Sequence, residues 1–492
     1  MENREYRVVG RRIPSVEARE KASGGGRYAS DVSLPGMLWA KVLRSPLPHA
    51  RILSVDTSRA ERLGGVRAVL TAADCPAVRF GHMIHDETVL AADKARFAGD
   101  EIAAVAATDL DTAEEALELI RVEYEPLPAL GSTEAALAPG APLIHEDRPG
   151  NVALEGGMER GDFDRAYGRA AHRIETVFET SCAHQCYLEP MGAVAEWDAG
   201  GRLTLHVGIQ DPWIARGRYA EILGMKAADI RMVHSFVGGG FGSKKMQCLH
   251  LICALLAKKA GRPVRLDNTR TDEFTATHPR VPMTIRLRLA ADPEGRLVAK
   301  ASDVVADNGA YSNEAPAITG IASYRMDNLY RIANVRNRYR LVYTNKLPTG
   351  GFRGFGNPQG ALALESGIDI LAERAGMDPA DLRMKNFVGP GDLTMHGFRI
   401  GTIGMRECVA RARTGTDWDR KRAGRFGTAE PAGPRIRRGI GMACCIHGSG
   451  YRGAYKEFDG SSAVVRIDEA GRVHLLTGET DTGQGSRTVL AQ

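Results

Sequence analysis

Gly238-Gly239-Gly240-Phe241-Gly242-Ser243-Lys244 and Gly350-Gly351-Phe352-Arg353-Gly354-Phe355-Gly356-Asn357-Pro358-Gln359-Gly360 decide the reading of this chain. Each run ends an extended segment and leads into a helical pattern. Backbone N–H groups exposed at such a junction can hold an anionic or oxo-rich group without a charged side chain. Two such loops, far apart in sequence, point to one group gripped from two sides. Neither is a nucleotide fingerprint. The first lacks the GxxxxGK[ST] spacing, and in GxGxxG the third glycine is replaced by Ser243 in the first run and Gln359 in the second. For either loop alone, a tight turn for close helix–strand packing is an equal alternative. Both together, with Gly483-Gln484-Gly485, favour binding.

The flanks of the loops read as α/β. Met246 to Ala260 is a buried-type helix closed by Gly261, and a second helix starts with Asn357 as cap and Pro358 at its first position. Arg202 to Val207 and Ile285 to Leu289 alternate with period two and read as strands. Nearer the N-terminus, Met37 to Leu43 and Ile102 to Ala107 read as strands, and Asp111 to Ile120 as a helix opened by its own aspartate. Glu125 to Gly150 is rich in Pro, Ala and Gly and reads as an interdomain connection, and Ala412 to Arg438 as basic surface loop. Ala463 to Ile467 and Val473 to Leu476 form a hairpin that cannot bury a core alone, which predicts a longer protein or a second polypeptide completing that domain.

At 492 residues the size prior is about three domains. The predicted class is α/β (α+β), with segments 1–150, 151–410 and an incomplete 435–492. A net charge of +5 without a basic, aromatic-interleaved block argues against a nucleic-acid binder. No stretch of transmembrane length lacks a charge, and the start is charged, so the chain reads as cytoplasmic. None of the eight cysteines has zinc-ribbon or iron–sulfur spacing. Cys182 and Cys186, with His184 between them, read as reduced, packed thiols, or else as ligands or a redox pair.

Taken together, these residues resemble the molybdenum-cofactor subunit of the xanthine dehydrogenase/aldehyde oxidase family, the molybdenum hydroxylases. Val9 to Arg12, Gly26 to Asp31, Leu34 to Leu38 and Arg44 to Ala50 resemble its small N-terminal hammerhead-type α/β domain. His184 to Pro190, the two glycine runs and the Gly483 run resemble its cofactor domains. The resemblance implies a molybdopterin, in bacterial members often as the cytosine dinucleotide, whose molybdenum has no protein side-chain ligand. It implies that Gln210 approaches the metal's oxo side and that Phe241 and Gly242, with Gly239 and Gly240 in the same loop, offer backbone N–H groups. Arg353 then forms the opposite wall, and Gln484, flanked by Gly483 and Gly485, touches the pterin. Lys245, Ile321 and Phe355 fall in the substrate pocket. Each has a plainer reading. Arg353 and Gln210 can satisfy backbone groups, Phe355 can be core, and Lys244 and Lys245 can be solvated lysines at a helix start.

Three departures from the family shape the expected function. Its general-base glutamate lies farther toward the C-terminus than this chain reaches, so no residue here takes that role. Purine-oxidising members carry a glutamate where Lys245 stands and an arginine where Ile321 stands, which argues against xanthine. Carbon monoxide dehydrogenases carry a cysteine before the Phe-Arg pair, where this chain has Gly350-Gly351. The implied activity is water-derived hydroxylation, or the reverse, of an aromatic, N-heterocyclic or aldehyde substrate. The kind implied first is that acting on aromatic acids or their thioesters, as 4-hydroxybenzoyl-CoA reductase does, with a nicotinate-dehydrogenase-like enzyme as the near alternative. Electrons would pass to [2Fe-2S] and FAD partner subunits, and another chain would supply the rest of the cofactor domain. The alternative is a catalytically incomplete subunit or remnant that only holds the cofactor.

Overall fold

Alternation of Met283, Ile285, Leu287 and Leu289, all buried, with Arg286 and Arg288, which are not, makes Met283–Ala291 a strand with one face in the core. The structure, a computed structural model, describes residues 6–423, 439–448 and 462–492. In it that strand pairs antiparallel with His172–Thr180 on one side and Leu297–Gly309 on the other. Asn334–Tyr343 and Val152–Arg160 complete a five-stranded sheet. Helix Asn357–Arg374 lies across it, with the Gly367 backbone against Leu287, where any larger residue would collide.

A second sheet has seven strands, in the order Ile230–His234, Leu203–Val207, Gly192–Trp197, Val264–Asp267, Leu38–Arg44, Glu101–Ala107 and Val66–Thr71. Strands from the first 107 residues therefore join strands from beyond residue 190 in one sheet. The seam is a short parallel pair, Leu38 opposite Val264 through Ala40 opposite Leu266. Helix Cys248–Ala260 covers both sides of it. Every residue from Leu249 to Ala257 is buried, which explains a sequence with no polar face in that stretch. Gly261 ends the helix at φ +63°.

Several predicted boundaries move. The helix read from Asp111 runs Leu110–Leu119 and is capped by Asp109, whose side chain accepts the Thr112 N–H at 2.8 Å. The helix at the second loop runs Asn357–Arg374 with Gly356, at φ +88°, in the cap position. The stretch 125–150 is less a linker than a packed strap, since Leu130, Ala136, Ile144 and His145 along it are buried, as is Asn151 just beyond. Ala412 lies in helix Met405–Thr416, followed by Trp418–Ala423, where a loop was expected. Amphipathic spacing there places Val409 and Trp418 in the core against a charged outer face. The remainder of that predicted loop, 424–438, lies outside the described residues.

One polar knot ties the five-stranded half to the chain's later part. Arg383, fully buried, donates to Glu365 Oε2 at 2.8 Å and to Asp369 at 2.6 Å. Glu365 also accepts from the Tyr330 hydroxyl and from the Cys444 N–H, both at 2.7 Å. Removing one member leaves a buried charge without its partner. Arg383→Met is expected to cost about 3–5 kcal/mol, read as a lower denaturation midpoint.

Candidate functional site

The first glycine loop leaves strand Ile230–His234 and enters helix Cys248–Ala260. Glu189 holds both of its ends. Its Oε2 accepts the Gly238 N–H at 2.7 Å and the Lys244 ammonium at 2.5 Å, while its own N–H donates to the Gly238 carbonyl at 3.1 Å. Lys244 is 2% exposed. Burial draws its ammonium below the ordinary lysine range, opposed by the carboxylate of Glu189. It is thus an internal strut and not a solvated lysine. Gln210, just past strand Leu203–Val207, donates its N–H to the Lys244 carbonyl at 2.7 Å. Its Oε1 accepts the Gly242 N–H at 2.9 Å.

The second loop crosses the first. A side-chain carbon at Gly242, φ +111°, would lie 2.7 Å from the Gly351 carbonyl oxygen, and one at Gly351 would lie 2.8 Å from that of Gly242. The Arg353 N–H donates to the Phe241 carbonyl at 2.8 Å. Gln185 braces the crossing by donating to the carbonyls of Gly351 at 2.7 Å and His278 at 2.8 Å. Phe241 and Phe355 both sit at positive φ, +53° and +47°. For side-chain-bearing residues this is strain of about 1–3 kcal/mol each, the kind concentrated at functional sites.

The crossing brings together Gln210, Gly239, Gly240, Phe241, Gly242 and Arg353, though they come from three separate stretches. The N–H groups of Gly239, Gly240 and Phe241 make no hydrogen bond among the described residues. Arg353 has an exposed side chain and satisfies no internal carboxylate among the described residues. Lys245 pairs with Glu314 and stands 5.8 Å from the centre of the Phe355 ring. Phe355 is only partly buried, packed against a core cluster that includes Ile318 and Ala322. Ile321 lies half-exposed on the same helix, Ala315–Tyr324. The Gly483 run reaches the site through Thr480, whose hydroxyl donates to the Gln210 carbonyl at 2.6 Å. Gln484 itself folds into its own turn, accepting the Thr482 N–H and donating to the Thr480 carbonyl, both at 2.7 Å. Cys182 and Cys186 are exposed, unlike the packed thiols expected, and all eight cysteines are unpaired.

The sequence pointed to Gln185 and Glu189 only as members of the His184 to Pro190 stretch, without a role for either, and it did not single out Glu314 or Asp211. Glu189 had a signal, since a lysine that must be buried at a loop end requires an acid. Glu314 had none, because nothing local to Ser312-Asn313-Glu314 reveals that a loop from residue 351 rests on it.

Comparison with known proteins follows this architecture. The aldehyde oxidase and xanthine dehydrogenase a/b hammerhead domain matches residues 23–128, and the molybdopterin cofactor-binding domain matches residues 144–387 and, in a second form, 411–492. The chain is 36% identical over 412 residues to the nicotinate dehydrogenase large molybdopterin subunit of Eubacterium barkeri, covering 83% of this chain and 96% of that one. It is also 36% identical over 477 residues to a probable xanthine dehydrogenase component of Bacillus subtilis, covering 97% of this chain but 63% of that one. Among solved structures, quinoline 2-oxidoreductase from Pseudomonas putida 86 superposes with a TM-score of 0.87 at 29% identity, over 97% of this chain and 63% of that one. The chain therefore spans less than two thirds of the length of these last two proteins.

Two substitutions test the geometry. Gly242→Ala forces a carbon into the Gly351 carbonyl at a φ that alanine rarely adopts, so it is expected to separate the loops, seen as new protease cleavage near residues 238–245. Lys244→Met leaves Glu189 buried without its ammonium and is expected to cost about 3–5 kcal/mol, measured by denaturant unfolding.

Proposed function

The chain belongs to the xanthine dehydrogenase/aldehyde oxidase family of molybdenum hydroxylases, and on that premise we propose that it is the molybdopterin-binding subunit of a multi-subunit oxidoreductase acting on an aromatic N-heterocycle. The observation that carries this reading is the loop crossing. Gly239, Gly240 and Phe241 have N–H groups that make no hydrogen bond among the described residues, beside an amide side chain and on backbone that side chains would obstruct. That donor set fits an oxygen-rich, anionic cofactor with no side-chain ligand to its metal. Bound molybdopterin, in its cytosine dinucleotide form, would supply a two-electron acceptor and a route for oxygen from water.

The remaining work falls to the chain's own residues. Gln210, with its Oε1 taken by Gly242, has its Nε2 to donate toward the cofactor's oxygen. The N–H groups of the first loop orient the same face, and Arg353 adds a cation on the second. Phe355, partly exposed and strained, offers a ring face on which a flat substrate can stack. Lys245, paired with Glu314, puts a cation where purine-oxidising members carry a glutamate. A nicotinate-like heterocycle is preferred over an aromatic CoA thioester because the chain matches nearly the whole length of a nicotinate dehydrogenase subunit.

Partners are part of the proposal. Both strands of the hairpin Ala463–Ile467 and Val473–Thr477 are exposed throughout, with Val464, Val465, Ile467, Val473, Leu475 and Leu476 bare on both faces. Apolar residues on both faces of a two-stranded ribbon call for further protein packed on each side. Iron–sulfur and FAD subunits would carry the electrons away, and the general base would come from protein outside these 492 residues. The unpaired cysteines suit a reducing cytoplasm.

Purification with the products of neighbouring reading frames is expected to yield stoichiometric molybdenum and pterin. Gln210→Ala is expected to lower turnover by about 10²-fold, as loss of one oriented donor does, and to lower the retained pterin. The complex should oxidise a pyridine- or quinoline-type heterocycle and leave xanthine untouched. Bound NAD without molybdenum would overturn the reading.

A further inference from the structure

Asp211 follows Gln210 and stands at the cap position of helix Pro212–Leu223, yet its side chain caps nothing there. An aspartate in that position ordinarily accepts an N–H of the first helical turn. Here only the backbone carbonyl does so, taking the Ala215 N–H at 3.1 Å, and the buried side-chain Oδ1 has no partner among the described residues. Its charge is coupled to those of the Lys245 ammonium, which favours the carboxylate, and the Glu314 carboxylate, which disfavours it.

Glu314 is its counterpart. It is 4% exposed, gives Oε1 to Lys245, and keeps Oε2 buried and without a partner among the described residues. That oxygen lies against the α-carbon of Gly351, where an added side-chain carbon would collide with it. Asp211 and Lys245 each follow a residue of one backbone contact, the Gln210 N–H donating to the Lys244 carbonyl at 2.7 Å, and Glu314 pairs with that lysine behind Gly351, so two buried orphaned carboxylate oxygens flank the loop crossing. Such an arrangement is costly while both acids are ionised, and a proton on either turns an orphaned acceptor into a donor. The other groups facing the cluster do not supply that proton. Burial lowers the His82 imidazole below its usual range, with Glu314 opposing and Lys245 and Arg218 adding to that shift. His278, which feels Glu314 and His82, is pushed down to about 4, also by burial.

We propose that Asp211 and Glu314, together with Lys245, form a proton-holding site that takes up one of the protons released when substrate is oxidised at the loop crossing. The proposal rests on the functional reading above. Converting a ring C–H to C–OH with oxygen from water releases two electrons and two protons. The electrons leave to the iron–sulfur centres of a partner subunit. One proton goes to solvent directly, and the other is held on the Asp211–Glu314 pair and passed on before the next turnover. Asp211 suits this task because burial above all, opposed by Lys245 and reinforced by Glu314, lifts its carboxyl to about 7. Asp211 and Glu314 act here as positioning residues for a proton; neither touches the reacting carbon.

Asp211→Asn in the molybdenum-loaded complex tests this. Expected are an unchanged pterin and molybdenum content, kcat lower by roughly 10²-fold, little change in KM, and loss of the wild-type limb of the pH–kcat profile near neutrality. A second measurement needs no turnover. An acid that ionises near 7 when folded and near about 3.9 when unfolded binds more protons in the folded state between those values, so stability falls as pH rises through that window and is level above it. The Tm of Asp211→Asn relative to wild type should therefore climb between about pH 4 and pH 7. Glu314→Gln, which removes the neighbouring negative charge, should move the upper end of that climb to lower pH. A Tm difference independent of pH, or a climb whose upper end Glu314→Gln leaves in place, overturns the proposal. A wild-type complex without molybdenum or heterocycle turnover counts against the functional reading instead, and the Tm series still decides the proton site.

Discussion

Backbone meeting backbone at Gly242 and Gly351 is the contact on which the rest of this structure depends. With no side chain between them, the two loops approach to within an added carbon's reach of each other's carbonyls. That closeness requires support from behind, and the chain provides it with buried charge. Glu189 and Lys244 clamp the first loop, Gln185 holds the second, and Lys245 with Glu314 links one to the other. Buried ion pairs contribute little net stability compared with apolar residues of the same size. Here they fix direction. A methionine in place of Lys244 could fill the volume but could not say where the loop's N–H groups should point.

The two sheets divide the labour. The seven-stranded sheet ends one set of strands at Gln210 and the first loop, while the five-stranded sheet and its covering helix present the second loop from the opposite side. Each loop emerges from a strand end into a helix start, so its aim is set by elements with large buried faces. The strain at Phe241 and Phe355 is tolerable because those faces hold the flanking residues in place.

Much of this was legible in the sequence. The glycine runs, the helices that follow them and the strands before them were readable because glycine, proline and period-two alternation act locally. Family resemblance placed Gln210 beside the first loop, something no local pattern could do. What escaped reading was long-range and polar. Asp109 capped the helix that Asp111 was expected to open, since two aspartates two residues apart offer the same local signal and only packing selects between them. Lys244 looked solvated because a lysine at a helix start normally is, and its partner lies 55 positions away. Glu314 and Asp211 matter only through what lies against them.

The seam between Leu38–Arg44 and Val264–Asp267 also bears on how the chain is made. Leu38 leaves the ribosome more than two hundred residues before Val264, its partner in the parallel pair. At about 5–20 residues per second, synthesis leaves that strand edge open for on the order of ten seconds or more. An unpaired, apolar strand edge is a template for the wrong neighbour. During that interval Glu101–Ala107 can cover one side of Leu38–Arg44, while the side that Val264–Asp267 will pair with stays open, for longer the slower the synthesis.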